Sequence, residues 1–137
     1  MGNFFNFIFI AFYRSIDKLD GSFMKIVPLQ KDTLFSSIWC VSFSQSMNIF
    51  TLYGTIAFLL KRPDYFRIDI ILCISIITTY LFNYLYFQRT GKYKQLLSKV
   101  KIKRDWYIIA YCYMIFSTFL AFSIVVWYKY FTTGYII

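Results

Sequence analysis

The stretch that decides the fold is residues 68–87, IDIILCISIITTYLFNYLYF. It reaches the ~20 apolar residues that a helix rising ~1.5 Å per residue needs to cross a ~30 Å hydrocarbon core. Its one charged residue, Asp69, lies at the edge of the run. Two similar runs flank it, residues 34–60 before it and residues 106–131 after it. We therefore predict an all-α protein with three transmembrane helices, in which residues 1–137 form one integral membrane domain.

The overall composition agrees with a membrane protein, since 59% of the residues are apolar and 24% are aromatic. A net charge of +9 can indicate nucleic acid or an anionic membrane as the partner. Here the charges flank the apolar runs, so we expect anionic lipid and no nucleic acid. The three cysteines, one in each run, have no metal-binding spacing, and we expect no metal and no cofactor.

The N-terminal segment holds an apolar stretch, residues 4–13, that is too short to span a bilayer. We predict that residues 1–21 form a helix in the membrane interface. A cytoplasmic helix packed on the transmembrane bundle is the alternative.

The loop at residues 89–104 is the most basic part of the chain. Its apolar residues recur at helical spacing, which predicts a short amphipathic helix that lies on the anionic cytoplasmic leaflet. A solvated connector is the alternative. The side chains that we expect to contact anionic lipid are Lys92, Lys94, Lys99, Lys101, Lys103 and Arg104.

Basic residues also predict the orientation. Lys and Arg are far more numerous before the first span and in the loop at residues 89–104 than in the loop at residues 61–67 and after the third span. Short basic loops stay on the cytoplasmic side. We therefore expect the N-terminus inside and the C-terminus outside, in a bacterial inner (cytoplasmic) membrane.

Catalytic chemistry has little support in the sequence. The chain holds no His and no Glu, and its six Asp residues all fall at span ends or in flanking segments. Intramembrane enzymes need ionisable or metal-binding groups at depth, and proton-coupled carriers usually do. We therefore predict no catalytic residue and expect that the protein is not an enzyme.

Polar side chains follow one face of the first span, and a broader polar arc follows the second. The residues that we expect to form helix-packing or pore-lining contacts are Ser37, Ser44, Asn48, Thr51, Thr55, Ser75, Thr79 and Asn83. An Asn amide at mid-membrane has no water to bind and needs a protein partner. For Asn48 we expect that partner to be Ser75 or Thr79, or another protomer, and we favour the other protomer.

These patterns predict a non-enzymatic subunit of a homo-oligomeric or larger membrane complex. Interhelical hydrogen bonding between Ser, Thr and Asn side chains is the ordinary use of such polar faces. The alternative is a small oligomeric pore, lined by hydroxyls and amides, that permeabilises the membrane when triggered. A carrier or an intramembrane enzyme is the third hypothesis.

Overall fold

The computed structural model describes residues 4–23, 33–60 and 68–133, and every regular element in these ranges is helical. The helices are α1 (Phe4–Phe23), α2 (Thr33–Leu59), α3 (Ile68–Asn83), α4 (Lys92–Lys99) and α5 (Arg104–Thr133). A π-helical turn, Tyr84–Arg89, continues α3. The all-α prediction is confirmed, while the loop at residues 61–67 and residues 1–3 of the predicted N-terminal helix lie outside the described residues.

Two helices are long and apolar enough to cross a membrane: Ile68–Arg89, which joins α3 to its π-helical turn, and Arg104–Tyr130 of α5. In their most apolar windows only 22% and 17% of the residues are buried. The core helix of a soluble protein would be mostly buried, so the exposed apolar surface of α3 and α5 is compatible with a membrane location.

The helix predicted as the first span forms as α2, but it is not one of the two helices that meet the length and hydropathy requirement for a span. Serine, threonine and amide side chains recur along its 27 residues and lower its hydropathy. Of the three predicted spans, two therefore have the length and hydropathy that a membrane crossing needs, and the three-span arrangement stays a prediction. α2 is the centre of the described bundle, because α1, α3 and α5 all pack against it.

α1 is packed into the bundle along most of its apolar stretch. Ile8, Phe9 and Ile10 are completely buried, and Phe12 is nearly so. Phe9 stacks on Phe87 of the π-helical turn, with ring centroids 4.0 Å apart. These contacts with α2, α5 and the turn agree with the alternative of a helix packed on the bundle, because protein rather than lipid covers this part of α1.

The first residues of α1 lie beside the first third of α5, and its later residues lie beside the end of α4. The ring of Phe4 lies 5.5 Å from that of Tyr113. Tyr113 is about nine residues, or ~14 Å, past the start of α5. At the other end of α1, Arg14 reaches the end of α4, where its Nη2 atom donates to the carbonyl oxygen of Val100 at 2.9 Å.

α4 forms as the predicted amphipathic helix in the basic loop. Gly91, with φ of 65°, precedes it in the left-handed region that glycine adopts without strain, and it turns the chain out of the π-helical turn. Arg14 also lies 3.4 Å from the carbonyl oxygen of Leu97, so a cation caps the unpaired carbonyls at the end of α4. The C-terminal part of α1 and the basic loop thus meet at one end of the bundle.

Candidate functional site

A polar network joins α2 to α3 inside the bundle. The Nδ2 atom of Asn83 donates to Ser42 Oγ at 3.0 Å and to Gln45 Oε1 at 2.7 Å. One turn earlier on α3, Thr79 Oγ1 lies 3.1 Å from the carbonyl oxygen of Ser42 and 2.7 Å from that of Ser75. Ser42, Ser75, Thr79 and Asn83 are all buried. Both protons of the Asn83 amide therefore have acceptors, as burial in an apolar bundle requires.

A second polar contact joins α2 to α5. The Nδ2 atom of Asn48 donates to the hydroxyl oxygen of Tyr113 at 2.6 Å. The partners predicted for Asn48 in the same chain, Ser75 and Thr79, were wrong, because its amide nitrogen bonds to Tyr113 of α5. The reason is that α2 has neighbours on several sides, so a single polar stripe is divided between them. A contact of Asn48 with another protomer, the partner that we favoured, stays a prediction.

The remaining residues of the predicted polar face bond within their own helix. Each hydroxyl donates to the carbonyl oxygen four residues earlier, a common use of Ser and Thr in a helix. These residues are Ser37, Ser44, Thr51 and Thr55. Of the eight side chains predicted for helix packing or pore lining, only Asn48, Thr79 and Asn83 donate side-chain hydrogen bonds between described helices.

The sequence pattern did not single out Ser42, and it did not single out Tyr113. Ser42 lies on a different face of α2 from the polar stripe, so the sequence pattern did not indicate that it contacts α3. Tyr113 was counted with the aromatic residues, although a Tyr hydroxyl is a hydrogen-bonding group that usually has a partner when buried. An Asn at mid-helix that needs a partner, together with a Tyr at similar depth in another span, is the signal that could have found this pair.

The basic loop has a different environment from the one expected. The apolar side chains of α4 pack against the core cluster that contains α1, so they do not need lipid for burial. The ammonium of Lys92 lies 4.1 Å from the ring centre of Tyr86, a cation–π contact. Of the six side chains predicted to contact anionic lipid, five are exposed: Lys94, Lys99, Lys101, Lys103 and Arg104. Their contact with anionic lipid stays a prediction, which now rests on charge alone.

Groups that could carry metal or acid–base chemistry do not gather in the described part of the chain. Within residues 4–23, 33–60 and 68–133, no three His, Cys, Asp or Glu side chains lie close enough together to hold a metal ion. The cysteines are free, with Cys73 and Cys112 exposed and Cys40 half-buried. What the described site can do is hold helices together and present neutral hydroxyls and amides.

Comparison with known proteins gives no relative from which a function could be transferred. No protein-family model, no curated protein sequence and no solved structure matches the chain.

Proposed function

We propose that this protein is a non-enzymatic integral membrane protein that acts as a subunit of a homo-oligomeric or larger membrane complex. In this proposal α2, α3 and α5 all cross the membrane, with α1 and α4 at the cytoplasmic end. α2 would cross although its hydropathy is low, because its polar groups bond to α3, to α5 and to its own backbone.

The observation that carries the proposal is the position of α3. Within the described bundle it packs mainly on α2 and buries only three of its own side chains, Ser75, Thr79 and Asn83. Its opposite face is a continuous row of large exposed aliphatic residues that includes Ile70, Ile74 and Ile77. Small and polar residues toward α2 are typical of helix contacts in membranes. The aliphatic face outside is open to lipid or to a second subunit.

The pore alternative has weaker support. A pore would need free hydroxyls and amides along one face of α2. Thr51 and Thr55 instead bond to their own helix, and Asn48 donates to Tyr113.

The native cysteines provide a direct test of assembly. Cys73 lies exposed on α3, and Cys112 lies exposed on α5, so each can be kept as the single cysteine by replacing the other two with serine. With a membrane-permeant bis-maleimide, the variant that keeps Cys73 should form a species at about twice the 16.5 kDa of one chain. The variant that keeps Cys112 is the matched control and should stay a monomer.

Native mass spectrometry of the parent protein after gentle extraction completes the test. A multiple of the chain mass, or a second protein in fixed stoichiometry, is the expected result. A bare monomer with no cross-link at Cys73 would contradict the subunit proposal.

Thiol accessibility tests the membrane position of the three proposed spans. We expect Cys40, Cys73 and Cys112 to resist an impermeant maleimide in intact vesicles of either orientation and to react after denaturation in detergent. The reason is that lipid and protein keep the reagent away and disfavour the thiolate. Rapid labelling of Cys40 in inside-out vesicles would place α2 beside water and would revive the pore alternative.

A further inference from the structure

α1 is enclosed on every side where it crosses the bundle. Ile8, Phe9 and Ile10 are fully buried, and the two residues that follow them, Ala11 and Phe12, are each 1% exposed. Five successive residues of a helix point in all directions around its axis, so no side of this segment is left to lipid or water. The elements around it are α2, α5, the π-helical turn and α4. α1 therefore occupies a helix-wide space inside the bundle rather than covering an outer face.

The inner end of this space adjoins the polar network between α2 and α3. Phe5, in the first turn of α1, lines the same surface cleft as Gln45, which accepts from Asn83 in that network. One turn of the α3 continuation separates the buried amide of Asn83 from Phe87, on which Phe9 stacks. α1 therefore lies between the polar network and the end of the bundle where α4 lies.

One buried side chain of α1 does not suit this position. Asn6 is only 7% exposed, and its amide forms no hydrogen bond within the described part of the chain. The amides of Asn48 and Asn83, in contrast, both donate to other helices. No polar side-chain atom of the described residues is both sealed and unpaired, so the Asn6 amide keeps a narrow opening to its surroundings. Most of the water that an amide binds is still excluded, and burial without a partner costs free energy.

Arg14, near the other end of the described part of α1, holds the helix in place. Its guanidinium donates to the carbonyl oxygen of Val100 at 2.9 Å and lies 3.4 Å from that of Leu97. Hydrogen bonds from a charged donor are stronger than neutral ones. Arg14 therefore favours the docked position of α1, whereas Asn6 opposes it.

The sequence of α1 is also suited to a second position. At 100° per residue, the charged and amide side chains among residues 4–18 lie within an arc of about 120°. They are Asn6, Arg14, Asp17 and Lys18. Such an arc suits a helix that lies on the membrane surface with its polar side toward water. There the Asn6 amide would bind water, and Phe12, on the opposite side, would contact lipid.

We propose that α1 is a reversible plug. In the closed position, which is the one described above, it separates the polar network from the α4 end of the bundle. In the open position it lies on the membrane surface with Arg14 released from α4, and water reaches Ser42, Gln45 and Asn83 through the vacated space. The proposal uses the membrane location of the proposed function, but it does not depend on assembly into a complex.

A cysteine on α1 measures how often the plug opens. The full chain is reconstituted in nanodiscs with Cys40, Cys73 and Cys112 replaced by serine and with Ala11→Cys as the single cysteine. Ala11 is buried in the closed position and lies beside the polar arc, so its thiol meets water only in the open position. Labelling by a water-soluble maleimide should be slow, and its rate follows the population of the open position when opening and closing are fast.

Asn6→Leu and Arg14→Gln should change this labelling rate in opposite directions. Asn6→Leu removes the unpaired amide and favours the closed position, so labelling should slow by about 2- to 10-fold. Arg14→Gln removes the charged donor to α4, so labelling should speed up by about 10-fold. Gln88→Leu and Arg89→Gln are the matched controls. Both residues are exposed and lie outside α1, so neither substitution should change the rate.

Two further single-cysteine variants separate opening of the plug from unfolding of the bundle. Ser42→Cys places the thiol in the polar network, and its labelling should follow the same order among the variants as labelling at position 11. Ala121→Cys places the thiol in the core cluster at the other end of the bundle, where Ala121 is buried, and it should stay unlabelled throughout.

The sign of the Asn6→Leu effect decides the proposal. Faster or unchanged labelling at position 11 would overturn it, and so would Arg14→Gln labelling that is no faster than that of the parent. A rise at position 121 equal to that at position 11 would also overturn it, because the whole bundle would then be unfolding. Labelling at position 11 without labelling at position 42 would show that α1 moves but does not close the network. A monomer in native mass spectrometry that shows the expected rate changes would refute the subunit role and leave the plug intact.

Discussion

Replacement of Phe9 by alanine is expected to lower the free energy of unfolding by about 3 kcal/mol, near the low end of the range for buried aromatic residues. Phe9 is 0% exposed, and its ring stacks on Phe87 at 4.0 Å with an interplanar angle of 12°. Most of this loss comes from the missing packing contacts of the ring. In a membrane the unfolded protein leaves the side chain in lipid rather than in water, so less free energy of transfer is lost. The change in the free energy of unfolding can be measured by circular dichroism in mixed micelles with increasing sodium dodecyl sulfate content.

Phe116→Ala is the matched control for this prediction. Phe116 has the same side chain but is 62% exposed, on the apolar surface of α5. Its truncation should change the free energy of unfolding by less than about 1 kcal/mol, since lipid or detergent fills the space. Equal effects of the two substitutions would mean that α1 is not held against the π-helical turn.

The second large effect is expected at Asn83. Asn83→Leu keeps a side chain of similar size but removes the two hydrogen bonds to Ser42 and Gln45, and Asn83 is only 3% exposed. An interhelical hydrogen bond in a membrane protein is worth ~0.6 kcal/mol on average and up to ~1.7 kcal/mol. Because both bonds are lost and their acceptors are left unpaired, we expect the free energy of unfolding to fall by about 1–2 kcal/mol in the same experiment.

Gln88→Leu provides the comparison for Asn83. Gln88 is also an amide side chain on the α3 continuation, but it is exposed. We expect its replacement to leave the unfolding midpoint unchanged or slightly raised. If both variants lose stability to the same extent, the polar network between α2 and α3 does not stabilise the bundle.

Much of the fold was predictable because hydropathy and length act locally along the chain. The apolar run at residues 68–87 became α3 with its π-helical turn, and the basic loop produced the amphipathic helix α4. Helical periodicity needs only the spacing of residues, and so it specified elements without knowledge of their neighbours.

Partner choice was less predictable because it depends on the arrangement of all the helices. The stripe on α2 was expected to face the second span or another protomer, whereas Asn48 donates to Tyr113 of α5. Ser42 and Gln45, which lie outside the stripe, accept from Asn83 of α3. The same limitation explains α1. Its apolar side chains could have faced lipid or protein on sequence grounds, and only the position of Phe87 shows which surface covers Phe9.

The burial of α1 has a consequence for the order of events during synthesis. Its contacts are made with residues that follow much later in the chain: Phe9 with Phe87, Phe7 with Trp106, and Phe4 with Tyr113. These pairs are separated by roughly 80 to 110 residues, so at ~5–20 residues per second α1 leaves the ribosome roughly 4–20 s before its partners. During that interval an apolar helix too short to span a bilayer has the membrane interface as its natural resting place. We expect α1 to enter the bundle last, and the interfacial state that its sequence favours to be a stage in assembly of the folded protein.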